Sequence, residues 1–222
     1  MRCISALALL FLLVGTLFAQ DGDSNGFQVR EEDGGPVTVR SASGMLNQGS
    51  SLKRRWLAVN DLSGPVLLNK AGLYPRFDEK EEVHVLMPVG TAQPSQAIAA
   101  VEVRYMLFDV WGEHLSTLTM TKMADTSTTF DLRDGSGWPA WENEVAQLVT
   151  VVAFIARVRL ENGQIWSYDP DRLTSEVRSL GLNVVPVQLV PDELRAMDPR
   201  SIYWSYYPLQ KTPSRQAVPR KQ

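Results

Sequence analysis

The chain has 222 residues, 44% of them hydrophobic, with a formal net charge of −3, two histidines and one cysteine. Weak acidity excludes a general nucleic-acid binder, which needs a basic footprint, and a single cysteine excludes a disulfide framework or a thiolate metal cage. After the N-terminus no apolar run reaches the ~20 residues of a membrane span.

Met1-Arg2-Cys3, an apolar run from Ile4 to Phe18 and then Ala19-Gln20 predict a secretory signal peptide over residues 1–19. The alternative is an uncleaved anchor, for which the run is short. Cys3 precedes the apolar run, unlike the acylated cysteine of a lipoprotein. The expected location is therefore periplasmic or extracellular, with no membrane span once the signal is cleaved. Residues 20–35 are acidic and glycine-rich and predict a disordered leader.

Pro36 to Ser41 alternates as a short strand. Arg54 to Asp61 is a second, with Trp56 and Ala58 on one face and Leu57 and Val59 on the other. Turn residues fill Asn60 to Pro65. A brief strand is expected at Val66–Leu68, a loop at Ala71–Glu79, a strand at Glu82–Pro88 and a loop at Val89–Gln96. In Ala97–Trp111, Val101, Val103, Tyr105 and Leu107 share one face and Glu102 and Arg104 take the other, the pattern of a half-buried strand. A turn at Asp109–Gly112 returns the chain through His114–Met123. Ser127–Leu132 is a further strand, and Arg133–Glu144 a loop with two tryptophans.

The longest strand runs from Leu148 towards Leu160, with Val152, Phe154, Ala156, Val158 and Leu160 on one face. Asn162-Gly163 predicts a two-residue hairpin turn. That turn would set Arg159 across from Trp166 and Arg157 across from Tyr168. Asp171–Leu180 has helical apolar spacing with Gly181 as its stop. Leu182–Val190 reads as extended, and Pro191–Met197 as a second short helix. The domain expectation is a sandwich over residues 36–169, a helical and extended C-terminal extension over 170–208, and a disordered basic tail over 209–222. Many short strands with helices only near the end predict an all-β, antiparallel sandwich.

Tyr105-Met106-Leu107-Phe108-Asp109, followed by Gly112, resembles the strand-and-turn signature of FxLYD-type immunoglobulin-like sandwich domains. The two aromatic places are exchanged, and Val110-Trp111 stands in a turn that is polar in that family. The resemblance covers roughly Ala97 to Asp169. It implies an immunoglobulin-like fold and an exported or membrane-tethered bacterial protein, and no chemistry.

His84 and His114 lack partners at metal-ligand spacing, and no nucleophile motif surrounds them. Both are expected to be exposed or hydrogen-bonded strand histidines. Asp131-x-x-Asp134-Gly-Ser-Gly lacks EF-hand spacing and reads as a polar turn. Glu142 and Glu144 serve glycoside hydrolysis only if the fold brings a carboxylate pair to the required separation. No catalytic, cofactor or metal residues are assigned. The expected function is a non-enzymatic module binding an envelope or extracellular protein. Its candidate patch is Trp111, Trp138, Trp141, Arg159 and Trp166. The alternative is a carbohydrate-binding module with Trp138, Trp141 or Trp111 as stacking platforms. Packing offers a plainer role: Trp138 and Trp141 plugging the sandwich end, and Arg159 stacked on Trp166.

Overall fold

A computed structural model describes residues 26–37, 40–41, 44–45, 52–79, 83–123, 129–133 and 137–191. The expected signal peptide, residues 134–136, the helix expected after Pro191, and the aromatic and basic C-terminal residues lie outside them. The strands are β1 (Phe27–Pro36), β2 (Arg40–Ser41), β3 (Gly44–Met45), β4 (Lys53–Asp61), β5 (Val66–Asp78), β6 (Val83–Pro94), β7 (Ile98–Phe108), β8 (His114–Met123), β9 (Phe130–Asp131), β10 (Trp138–Ala140), β11 (Thr150–Leu160) and β12 (Ile165–Ser167). Two helices, α1 (Glu142–Gln147) and α2 (Pro170–Ser179), and a 3-10 turn at Pro186–Leu189 complete the described chain.

The main sheet has the order β1-β4-β11-β7-β8, with β12 added beside β11. β7 and β11 sit at its centre because both of their faces are apolar over most of their length, and a strand buried on both sides must lie inside a sheet covered twice. Val151, Ala153 and Ile155 face one core with Val103, Tyr105 and Leu107. Val152 and Phe154 face another with Met106 and Phe108. One ladder is parallel: Thr150–Phe154 of β11 against Arg55–Val59 of β4. A parallel neighbour needs a long crossover, and β5 to β10 supply it.

The second sheet runs β10-β6-β5, with β9 also on β6. It packs on the first through Leu68, Leu73, Leu86 and Ala92. α2 and the strap that follows it, residues 180–191, cover the opposite face of the main sheet with Leu173, Val177, Leu182, Val184 and Leu189. The result is a two-sheet, mostly β fold with a thin helical layer outside it. The described part of the 170–208 segment thus packs on the sheet. α2 lies where the apolar spacing places it, capped by Asp169, whose Oδ1 accepts from the amides of Asp171 (2.9 Å) and Arg172 (3.1 Å).

Several expectations are corrected. Residues 27–35, expected as disordered leader, form most of β1. Phe27 joins the outer core, and the acids that suggested disorder pair with basic neighbours: Asp33 with Lys53 (2.6 Å), Glu31 with Arg55 (2.8 Å), and Glu32 with Lys70. The loops expected at Ala71–Glu79 and Val89–Gln96 are mostly strand, in a β5–β6 ladder reaching from Val66–Pro94 to Val83–Asp78. Gly72 is there because the Trp56 ring lies on it: a Cβ at that position would stand 2.2 Å from Trp56 Cδ2. Pro75 is tolerated because β5 is an edge, where a missing N–H breaks no ladder. Arg133–Glu144 is not wholly loop, since β10 and the start of α1 fall within it.

The long strand changes face. β11 carries an extra residue at Ala156, between the pairs Ile155↔Val103 and Arg157↔Glu102. This β-bulge turns Val158 and Leu160 into the inter-sheet core, away from Val152 and Phe154, with which strict alternation grouped them. The following hairpin is also longer by one residue. Leu160 N donates to Gln164 O (2.9 Å), so Glu161-Asn162-Gly163 is a three-residue loop with Gly163 at φ 87°. Arg159 therefore pairs with Ile165, and Trp166 with Val158.

Candidate interaction surfaces

The five candidate patch residues fall at two ends of the molecule. Trp111, Trp138 and Trp141 lie at the end where β11 begins, beside the β7–β8 turn and α1. Arg159 and Trp166 lie near its other end. Most of the length of β11 separates them, roughly 30 Å at ~3.3 Å per residue.

At the first end Trp111 is 83% exposed and Val110 is 53% exposed. Their turn is well tied. Asp109 Oδ1 accepts from the amides of Trp111 (2.8 Å) and Glu113 (2.9 Å), and Asp109 N donates to Glu113 O (3.0 Å). The strap braces it from behind: Asn183 N donates to Gly112 O (2.8 Å) and Asn183 Nδ2 to Glu113 Oε2 (2.9 Å). Val185 and Val187, two and four residues further along the strap, are also exposed.

Trp141 is 77% exposed. It stands at the N-cap of α1, where its N–H donates to Glu144 Oε2 (2.7 Å) and its carbonyl accepts from Val145 N (3.1 Å). The other end of α1 is held by buried Arg54, which donates to Val145 O (3.0 Å), Leu148 O (3.1 Å) and, outside the helix, Pro36 O (2.9 Å). A cation at a helix C-terminus opposes the free carbonyl dipoles. Trp138 is different. Paired with Leu86 through β10, it packs on the core with its ring 5.8 Å from that of Tyr105. It plugs the sandwich and leaves Trp111 and Trp141 as the exposed pair.

At the second end Arg159 is exposed and lies across from Ile165. Trp166, next in β12 and on the other face, packs half-buried on the inter-sheet core. Beside it is an open groove of about 410 Å³ between the β4–β5 turn and the β11–β12 hairpin.

A buried charge cluster lies between the main sheet and its helical cover. Glu102, 3% exposed, accepts from Arg104 Nε (2.9 Å) and from Arg157 Nε (2.8 Å). Arg104, 8% exposed, reaches on to Tyr168 Oη (3.2 Å) and Leu189 O (2.9 Å). The cluster ties strands, hairpin end and strap together. Burial, foremost, pushes the Tyr168 hydroxyl up from its ordinary value. Alternation alone places Glu102 and Arg104 on an uncovered strand face, which α2 and the strap in fact cover. The available signal was an opposite charge, Arg157, on the neighbouring apolar strand.

His84, expected exposed or hydrogen-bonded, is buried. Its Nε2 has no hydrogen-bond partner among the described residues, and its ring sits 5.0 Å from Phe77. Burial lowers its pKa from 6.5, and the charge of Glu142 opposes the shift without cancelling it. As pH falls, the unfolded chain takes up this proton near 6.5 and the folded protein only at lower pH. The stability contribution is therefore complete above 6.5 and is lost as pH falls towards the folded value. His84→Phe should flatten stability against pH between pH 7 and 5. Equal slopes for variant and parent in urea unfolding at several pH values would contradict this. His114 Nε2 shares a hydrogen bond with Thr117 Oγ1 (2.8 Å).

Asp131 is engaged by Arg133 (2.6 Å), and among the described residues no three His, Cys, Asp or Glu side chains converge as metal ligands. Nor is any described helix long and apolar enough to cross a membrane. The fold and surfaces define a mostly β, two-sheet protein. The chain matches no family model, no curated protein and no solved structure.

Proposed function

We propose that the protein is an exported, non-enzymatic, immunoglobulin-like sandwich that binds an envelope or extracellular protein through the Trp111–Trp141 end. The observation that carries this reading is the exposure of Trp111 and Trp141 on tied backbone. Large exposed apolar side chains on a rigid frame carry the binding energy of many protein interfaces, because little ordering entropy remains to be lost. Val110 and the strap valines add apolar area near the turn. The immunoglobulin-like assignment draws support from two sheets packed face to face and from the resembling motif, whose Tyr105 and Leu107 enter the inter-sheet core. Export draws support from the N-terminal sequence.

Trp111→Ala and Trp141→Ala should each change stability by less than ~0.5 kcal/mol, as exposed positions do. Together they should abolish at least tenfold of the affinity for the native partner, recovered by crosslinking in the source envelope and measured with purified components. Undiminished binding by the double variant would refute the reading.

A further inference from the structure

The groove beside Trp166 is built from neutral side chains of two kinds. Its apolar part is the Trp166 ring with Pro65 and Leu160. Gly64 lets the ring settle against the β4–β5 turn, since a Cβ there would stand 3.0 Å from Trp166 Cζ2. The ring is thus held against that turn before any ligand arrives. The polar part is Gln96, Gln164 and Ser63. Gln164 Oε1 accepts from Asn162 Nδ2 (3.1 Å), which leaves its amide hydrogens available. Ser63 Oγ donates to Asp61 Oδ1 (2.7 Å), which leaves its lone pairs to accept. Gln96 is exposed and offers both a donor and an acceptor.

A ligand for this site must present an apolar face to an indole, exchange hydrogen bonds in both directions, and carry no net charge. A charged ligand would meet no counter-charge in the lining, and a purely apolar one would cover the amides without pairing them. A pyranose ring meets all three conditions, with axial C–H bonds on one face and hydroxyls around its rim. About 410 Å³ lies within the ~300–1,000 Å³ of small-ligand clefts. We infer that the groove lined by Trp166, Gln96, Gln164 and Ser63 is a binding site for a neutral saccharide. It is independent of the protein-binding end proposed above.

The test is a titration of the full chain with soluble neutral oligosaccharides of glucose, mannose, galactose and N-acetylglucosamine, followed by the indole N–H resonance of Trp166. At least one class should shift that resonance saturably while those of Trp111 and Trp141 stay in place. Gln96→Ala and Gln164→Ala, both at exposed positions and compatible with folding, should each weaken binding about tenfold, and Trp111→Ala should leave it unchanged. The inference is overturned if no saccharide in millimolar excess moves the Trp166 resonance. It is equally overturned if the two glutamine variants bind as the parent does, or if the shifts centre on Trp111 or Trp141.

Discussion

Glu102→Ala should cost about 3–5 kcal/mol of folding stability, the loss expected when one member of a buried ion pair is removed. The residue is 3% exposed and stands between two guanidiniums. Deleting it leaves Arg104, 8% exposed, beneath the strap with only Tyr168 and Leu189 O as partners. An uncompensated charge in that setting weighs more than the loss of the hydrogen bonds themselves. Arg157→Ala should cost far less, because that side chain is 39% exposed and water screens it. Guanidinium unfolding of both variants measures the contrast. A loss below ~1 kcal/mol for Glu102→Ala would mean that water reaches the cluster.

Arg54→Leu should lower stability by about 3 kcal/mol or more. The residue is 2% exposed, and its partners are carbonyls: Val145 and Leu148 at the end of α1, and Pro36 at the end of β1. Leucine replaces the stem but pairs none of these oxygens, and a buried acceptor left unsatisfied costs ~1–3 kcal/mol. Burial lowers the Arg54 pKa from its ordinary value, so the arginine itself is already disfavoured by desolvation, and the carbonyls offset this. The same substitution should free α1. Hydrogen exchange ought to accelerate at Val145 and Leu148 before it does in β11, and unchanged exchange there would count against the anchoring role.

The strands that were legible in the sequence are those whose neighbours repeat their own pattern. β4 and β7 are apolar runs of strand length, β8 alternates, and α2 has its capping aspartate and its glycine stop. The two tryptophans in turns were also legible as candidate surface residues. The rest depends on contacts distant in the chain. β1 looks unfoldable alone, and becomes a strand because Arg55, Lys53 and Lys70 meet its acids. β5 carries Gly72 and Pro75, poor strand residues until Trp56 needs room and the outer edge needs no donor. The bulge at Ala156 has no local signature, because small apolar residues suit either face. Asn-Gly favours the two-residue turn that would set Trp166 across from Arg159, and one more loop residue moves it to the core side. The separation of the five patch residues follows from topology, which periodicity does not encode.

The parallel ladder between β4 and β11 bears on how the molecule forms. Arg55 and Thr150 are neighbours in the sheet, yet almost half the chain lies between them. Closing so long a loop draws on chain entropy before any contact repays it, and that charge falls on the rate of folding more than on final stability. The β5–β6 and β7–β8 hairpins join local segments and can assemble early. β11 is synthesised after both, and it alone unites β4 with β7. The centre of the finished sheet thus arrives after the hairpins it joins, and until it docks, the inner edges of β7 and β4 stand open to wrong partners.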